Sequence, residues 1–374
     1  MTPRTLILAD TMNVGGAERV LVDLLRRVLP DQPVDLCFFR LNGPLTAELP
    51  HTMTAFSLYP PEGKSLAQRI LYNTPLRHNY QQRRLRQILA GRKYHTVISW
   101  LEGPAAVMHS YLLDSFAHAR HLTWVHTDMT DNHWTLPFFG SEHREHGFYR
   151  RVNQIVFVSG QARNGFPYSV DTPMEVIPNL IDRKRITDLS EQSAPIRHRR
   201  FTLLFLGRLE TVKRPDRFVD TVAELTRRGY DVEGWVIGDG RMRGQVERQV
   251  EHLRLSGRIH MLGLQTNPYP TLAQADVLVL PSDAEGLPTV VSEALTLGVP
   301  VVATRCGGVE ELLARGGGIT TGLTASALAD AVGSLIDDPK LRDTLKTQAR
   351  HAGNISATTT AERLKSLLIT QHEN

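Results

Sequence analysis

The chain has 374 residues, of which 41% are apolar and 22% charged, with a formal net charge of +4. That composition excludes a disordered chain, and at roughly 100–200 residues per domain the length predicts two domains. The small positive excess does not by itself argue for nucleic acid. The two cysteines, Cys37 and Cys306, are too few for a zinc site and read as free thiols of a reducing, cytoplasmic compartment.

The first predicted strand is TLILAD (5–10). Asp10 follows its short apolar run at once, so the run does not read as a signal peptide. No stretch of about 18 apolar residues predicts a membrane span. In DTMNVGGAERV, Gly15 and Gly16 precede a helix. Two adjacent glycines let backbone N–H groups approach an anionic or hydroxyl-rich ligand, or simply make a tight turn. The dinucleotide fingerprint G-x-G-x-x-G is absent here, which disfavours a nicotinamide dehydrogenase. Further strands are VDLCFF (34–39), TVISW (96–100), LTWVH (122–126) and QIVFVS (154–159), with helices over 17–29 and 105–119. Strands apolar on both faces and joined by helices imply a parallel sheet covered on both sides. The stretch 74–93 carries Arg77, Arg83, Arg84, Arg86, Arg92 and Lys93 and no acid. It reads either as a helix lying on an anionic membrane or as a solvated helix.

The pattern restarts at FTLLFLGRL (201–209). The expected organisation is an N-terminal Rossmann-like domain over 1–186, a polar linker over 187–200, and a second such domain over 201–356. A last helix over 357–374 is expected to pack back on the first domain. Ligands of open parallel sheets bind outside the carboxyl ends of the strands, so the loops after strands carry the candidates. Arg208 and Lys213 follow the second domain's first strand and suit a diphosphate, the Arg as a planar fork and the Lys as a point charge. VIGDGRMR places Gly238 and Gly240 after the next strand, where a turn can touch a base or ribose. SDAEGLPTVVSEALTLG (282–298) puts Glu285 in a loop and Glu293 inside an otherwise apolar helix. Pro288 suits the first turn of that helix and Gly298 its end. A partly buried Glu293 requires a partner, either a polyol such as ribose or an arginine.

Together Gly15-Gly16, Arg208, Lys213 and Glu285-x7-Glu293 resemble the retaining glycosyltransferases of family 4, which have the GT-B fold. The most specific part is EGLPTVVSEALTLGVPVVATRCGGVEELL (285–313). The resemblance implies two tandem Rossmann-like α/β domains facing a cleft. It implies that Glu293 binds the donor ribose, that Glu285 contacts the donor hexose, and that Arg208 and Lys213 hold the diphosphate. Backbone groups of Gly286, Leu287, Pro288, Thr289 and Val290 would hold sugar and phosphate. His126, after the strand 122–126, resembles the family's active-site histidine. Glu102 in SWLEGP and Asp128 are acceptor-side candidates, Asp128 equally suiting a helix cap. The implied reaction is hexosyl transfer with retention from a nucleotide diphosphate sugar, commonly a UDP-sugar. The acceptor is a glycan or lipid-linked hydroxyl of bacterial polysaccharide or glycoconjugate synthesis. No metal is expected, since fixed cations can replace one and no Asp-x-Asp follows a strand. Competing readings are a glycan phosphorylase, a sugar-nucleotide epimerase, and a non-catalytic subunit binding a glycan or protein.

Overall fold

The computed structural model describes residues 4–60, 74, 76–130, 133–196 and 200–369, the side chains of 353–358 excepted. Parts of the basic stretch, of the expected linker and of the last helix (75, 197–199 and 370–374) lie outside the described residues. The chain divides into two compact units, 1–179 with 361–374, and 180–360.

The first unit is a seven-stranded parallel sheet. In chain order its strands are β1 (Thr5–Ala9), β2 (Val34–Arg40), β3 (Thr54–Tyr59), β4 (Thr96–Ser99), β5 (Arg120–Val125), β6 (Gln154–Phe157) and β7 (Met174–Val176). Their order in space is β3-β2-β1-β4-β5-β6-β7. The chain thus builds leftward from β1 and then resumes with β4 on its other side, which makes β1/β4 the topological switch point. The edge strand β3 does not print as an apolar run because its first residues, Thr54 and Ala55, are exposed and Ser57 interrupts it. The helix expected over 105–119 is regular only over Pro104–Ser110. Beyond it the chain continues as turns, with Leu112 N–H bonding His109 O and Ala119 N–H bonding Phe116 O.

The second unit is a six-stranded parallel sheet of β8 (Phe201–Leu206), β9 (Val232–Ile237), β10 (Ile259–Gly263), β11 (Val277–Leu280), β12 (Val301–Thr304) and β13 (Gly318–Thr321). Its order is β10-β9-β8-β11-β12-β13, with the switch point at β8/β11. Successive residues of one strand enter opposite cores. Leu203 and Phe205 join one apolar cluster with Val277, Val279 and Val302. Leu204 joins the other with Leu278, Leu280, Val301 and Ala303. Period-two side chains on a sheet covered on both faces explain why these strands read as unbroken apolar runs.

The expected linker is corrected at its start. Residues Arg183–Ser190 form a helix capped by the Asp182 side chain on Arg185 N–H. Ile186 is buried in the second unit's core, with Leu189 and Ile196 packed against it. Spacing of Ile186 and Leu189 three apart gives the helix an apolar side, so the chain joins the second unit from Leu180. The C-terminal helix is longer than expected, Pro339–Leu368. In the first unit its last turns are held by Arg363 on Glu175 (2.8 Å) and on the Val176 carbonyl (2.7 Å), and by Arg120 on the Leu367 carbonyl (2.6 Å).

Candidate functional site

In the second unit the switch point brings two expected residues together. Lys213 closes a short 3-10 turn, Thr211–Lys213, after β8. Arg214 follows in the left-handed region at φ 50°. That position is uncommon for a side chain with a Cβ, and it starts the helix Pro215–Arg227. The neighbouring loop after β11 is tied to this turn by Asp283 N–H on the Val212 carbonyl (2.9 Å). Arg217 adds bonds to the Pro281 carbonyl (2.6 Å) and to Asp283 (2.7 Å), and Arg214 pairs with Asp216 (2.9 Å) and Asp283 (3.2 Å). The result is an ion pair: Lys213 Nζ lies 2.6 and 2.5 Å from the two oxygens of Glu285. Ser282 Oγ donates to the same carboxylate at 2.6 Å, and Thr304 Oγ1 donates to the Ser282 carbonyl at 2.5 Å. Glu285 is only 7% exposed. A buried carboxylate needs such a partner set, because desolvation alone would penalise its charge.

The loop after β12 closes over Glu285 from the other side. Gly307 has φ 47°, and a Cβ there would run into the Glu285 carbonyl; Gly308 N–H donates to the Gly286 carbonyl at 2.8 Å. The Cys306 thiol beside it is pushed up to about 12 by burial and then by the Glu285 charge, so it stays protonated. Pro288 is the N-cap residue of the helix Thr289–Leu297, one position before the expected first turn. Its backbone is extended at ψ 114°. Within that helix Glu293 is buried beside Val291, Ala294 and Leu295, while Thr289 and Val290 stay partly open. Gly286, Leu287 and Pro288 are buried.

Arg208 is exposed, and its guanidinium takes no partner among the described residues. Gly238 and Gly240 have a packing role. Both have positive φ, and a Cβ would strike the backbone of Gly207 and of Leu209 respectively. Leu209 N–H donates to the Asp239 carbonyl (2.9 Å), which locks the loop after β9 to the one that carries Arg208.

In the first unit the switch point gathers Glu102, His126 and a residue for which sequence reading found no role, Asp10. Asp10 directly follows β1, and its Oδ1 accepts from Ala105 N–H at 2.8 Å. It thereby caps the helix Pro104–Ser110, whose own cap, Gly103, has no side chain to offer. Burial first, then the charges of Glu102 and Glu18, raise its carboxyl to about 7, against the Ala105 bond. The available signal was its place directly after an apolar strand.

Glu102 was expected on the acceptor side, but its carboxylate is wholly buried and turned inward. Oε2 accepts from His126 N–H (2.9 Å) and Oε1 from Thr127 Oγ1 (2.5 Å). Burial raises its pKa, and these donors oppose the rise. Thr127 Oγ1 in turn accepts from Trp134 Nε1 at 2.9 Å. His126 is 9% exposed, packs against the Trp100 ring at 5.4 Å, and is lowered to about 4 by burial. Asp128 caps no helix. It holds its own loop, accepting from Thr130 N–H (2.9 Å) and Thr130 Oγ1 (2.6 Å), and from Gln161 (3.0 Å). Gly15 is the N-cap of the helix Gly16–Arg27, and the Glu18 carboxylate lies where a Gly15 Cβ would stand.

Two Rossmann-like parallel sheets in one chain, each with its titratable residues at the carboxyl edge of its switch point, are the architecture of the GT-B fold. The family description "Glycosyltransferase Family 4" matches residues 14–185, and "Glycosyl transferases group 1" matches 187–352. The chain therefore belongs to the family 4, group 1 glycosyltransferases. It is 29% identical over 216 residues to the alpha-D-kanosaminyltransferase of Streptomyces kanamyceticus, covering 54% of this chain and 55% of the relative. It is 29% identical over 239 residues to a GDP-mannose-dependent alpha-(1-6)-phosphatidylinositol monomannoside mannosyltransferase of Mycolicibacterium smegmatis, covering 59% and 63%. These matches span less than two thirds of either relative's own length. Among solved structures, Anabaena Alr3699/HepE in complex with UDP-glucose superposes with a TM-score of 0.77 at 18% identity, over 98% of this chain and 99% of that one. That likeness is one of fold.

Proposed function

We propose that this glycosyltransferase moves a hexosyl unit, with retention, from a nucleotide diphosphate sugar to a hydroxyl of a glycan or lipid-linked acceptor. The observation that carries the reading is the meeting of Lys213 and Glu285 at the β8/β11 switch point, a cation and a carboxylate in a place where α/β sheets bind nucleotides. A UDP-sugar is the proposed donor, in line with the UDP-glucose held by a protein of the same fold.

In the ligand-free state Lys213 neutralises Glu285. A donor diphosphate competes for that ammonium with more negative charge, so Lys213 turns to phosphate and Glu285 is released toward the sugar. As the bond between anomeric carbon and diphosphate oxygen breaks, negative charge grows on the leaving group. Lys213, exposed Arg208 and the N-terminus of the helix Thr289–Leu297 stabilise it. These fixed positive charges are proposed to make a metal unnecessary. The acceptor oxygen bonds the anomeric carbon on the same face, and its proton passes to the departing phosphate oxygen. Glu293, buried one turn inside the helix, is proposed for the ribose hydroxyls, with backbone of Gly286 to Val290 on sugar and phosphate.

No helix among the described residues is long and apolar enough to cross a membrane. Two basic residues of the 74–93 stretch are committed elsewhere. Arg77 bonds the Pro137 carbonyl (2.5 Å), while Arg92 pairs with Asp35 (2.8 Å) and lies over the Phe56 ring (4.5 Å). Arg83, Arg84, Arg86 and Lys93 stay exposed and are proposed to rest on an anionic membrane face, as a lipid-linked acceptor requires. The free thiols suit a cytoplasmic setting. Flotation with anionic vesicles tests the membrane contact, and no flotation removes it. NMR assignment of the product's anomeric configuration tests the reaction, since an inverted linkage contradicts it.

A further inference from the structure

Away from Glu102 and His126, the first unit holds a cavity of about 380 Å³ lined by His133, Glu142, His143, His146, Pro167 and Tyr168. Two of these side chains are fixed from behind by Glu145, a carboxylate with no exposure. Its Oε2 accepts from His133 Nε2 (3.0 Å) and from the Tyr168 hydroxyl (3.1 Å), and its Oε1 from Thr135 Oγ1 (2.5 Å). His133 and Thr135 lie after β5, Tyr168 lies before β7, and Glu145 sits on the helix Glu142–Tyr149. One buried carboxylate thus ties three stretches of chain into a preformed wall. The His146 ring stacks on Tyr168 (5.2 Å, 12°), with its Nε2 on the Ser169 carbonyl (3.3 Å).

Free polar groups face this wall. Glu142 and His143 are exposed, and neither makes a hydrogen bond or ion pair among the described residues. His133 Nδ1 makes no hydrogen bond there either, since the ring's other nitrogen holds Glu145. No lysine or arginine lines the cavity, so a phosphate would meet no fixed cation. No group of three His, Cys, Asp or Glu among the described residues could hold a metal ion. What remains is a carboxylate acceptor, imidazole nitrogens that donate or accept, and aromatic rings beside a proline. A sugar ring matches that set, with hydroxyls that both donate and accept and an apolar C–H face for the rings. The volume lies at the small end of ligand cavities, roughly 300–1,000 Å³.

The cavity adjoins the loop that follows β5. Trp134, next to His133, donates to Thr127. The turn before Tyr168 packs on the same loop, where Gly165 has no room for a Cβ beside the Asp128 carboxylate.

We propose that this cavity is a glycan subsite, holding a sugar unit of the acceptor other than the unit that receives the hexose. The assignment to the acceptor rests on the glycosyltransferase reading. The capacity to bind a neutral sugar does not.

The test is NMR of the full chain with isotope-labelled histidine at neutral pH, without donor. The protein is titrated with methyl glycosides of glucose, galactose, mannose and N-acetylglucosamine, and separately with inorganic phosphate. Single variants His133→Gln, His143→Gln and His146→Gln assign the signals. The expected result is a saturable shift of these signals with at least one glycoside and none with phosphate. Glu142→Ala with His143→Ala removes two exposed side chains that make no bond, so the fold should hold. Glycoside affinity, read on His133 and His146, is expected to fall about 10-fold, as for two lost hydrogen bonds. No saturable shift with any glycoside overturns the proposal, as does phosphate moving the signals in their place. So does an unchanged affinity in the double variant, folded by circular dichroism. Glycoside binding here without turnover of any nucleotide sugar supports the subsite and removes the proposed function. Turnover without such binding does the reverse.

Discussion

Lys213 Nζ and the Glu285 carboxylate meet at 2.5 Å, across the switch point of the second sheet, 72 residues apart in the chain. Each arrives on a separate loop, and each loop is braced by arginine bonds to Asp283. At this carboxyl edge the pair holds a lysine ammonium against a buried carboxylate.

Removing one partner is expected to be costly. Lys213→Ala leaves a buried carboxylate with only Ser282 as donor, and breaking a buried pair in this way costs about 3–5 kcal/mol. Urea unfolding should show a loss in that range, smaller for Lys213→Met with Glu285→Gln together. Activity should fall at least about 100-fold in Lys213→Ala, as when an electrostatic stabiliser is lost. Lys213→Ala with unchanged turnover contradicts the role.

Gly307→Ala is expected to move Glu285 through the backbone. The added Cβ collides with the Glu285 carbonyl and the residue sits at φ 47°, so stability should fall by more than about 1 kcal/mol, with turnover falling too. Gly91→Ala is the control. It has φ 75° but nothing within 4 Å of the new Cβ, so it should cost about 1–2 kcal/mol of strain and leave turnover intact.

Asp10 gives a pH-dependent expectation. Its folded pKa of about 7 lies above the ordinary carboxyl value of 3.8, so between those values the folded state holds a proton that the unfolded state has lost. Stability from this group is therefore present at low pH and lost as pH rises through about 7. Asp10→Asn keeps the oxygen that caps Ala105 N–H and removes the titration. It should stabilise the protein more at pH 8 than at pH 5, measured as a difference in urea midpoints.

The histidines act with the opposite sign. Ser99, His109 and His121 form a buried chain (3.0 and 2.9 Å) that ends on the Phe116 carbonyl (3.0 Å). Burial holds both imidazoles below the ordinary 6.5, and His78 and His126 are lowered to about 4. The unfolded state then takes up protons that the folded state refuses. Stability is full above about pH 6.5 and falls as pH drops below it. In a background of Asp10→Asn with Glu102→Gln, where the two buried carboxyls that oppose it no longer titrate, the unfolding free energy should decline from pH 6.5 to 5. A flat profile contradicts the buried neutral chain.

The sequence revealed the two sheets because strands buried on both faces print as apolar runs, as β8 does through Leu203 to Phe205. It hid β3 and β7, short strands at or near an edge with partly exposed residues. Glu285 and Lys213 were legible from spacing and from their place after strands. Their direct contact was not, because it depends on strand order, which brings β11 beside β8 across 72 residues. Asp10 and the inward turn of Glu102 were hidden for the same reason. A carboxylate after a strand looks alike in sequence whether it meets a ligand or the N–H of His126.

The most direct test of the account is a donor-hydrolysis screen. The full chain is incubated with a panel of nucleotide diphosphate sugars that varies base and hexose, and released nucleoside diphosphate is measured with no acceptor present. The account expects release from at least one donor, abolished in Lys213→Ala and in Glu285→Ala. No release from any donor, with no binding of the nucleotide sugars by calorimetry, would contradict it.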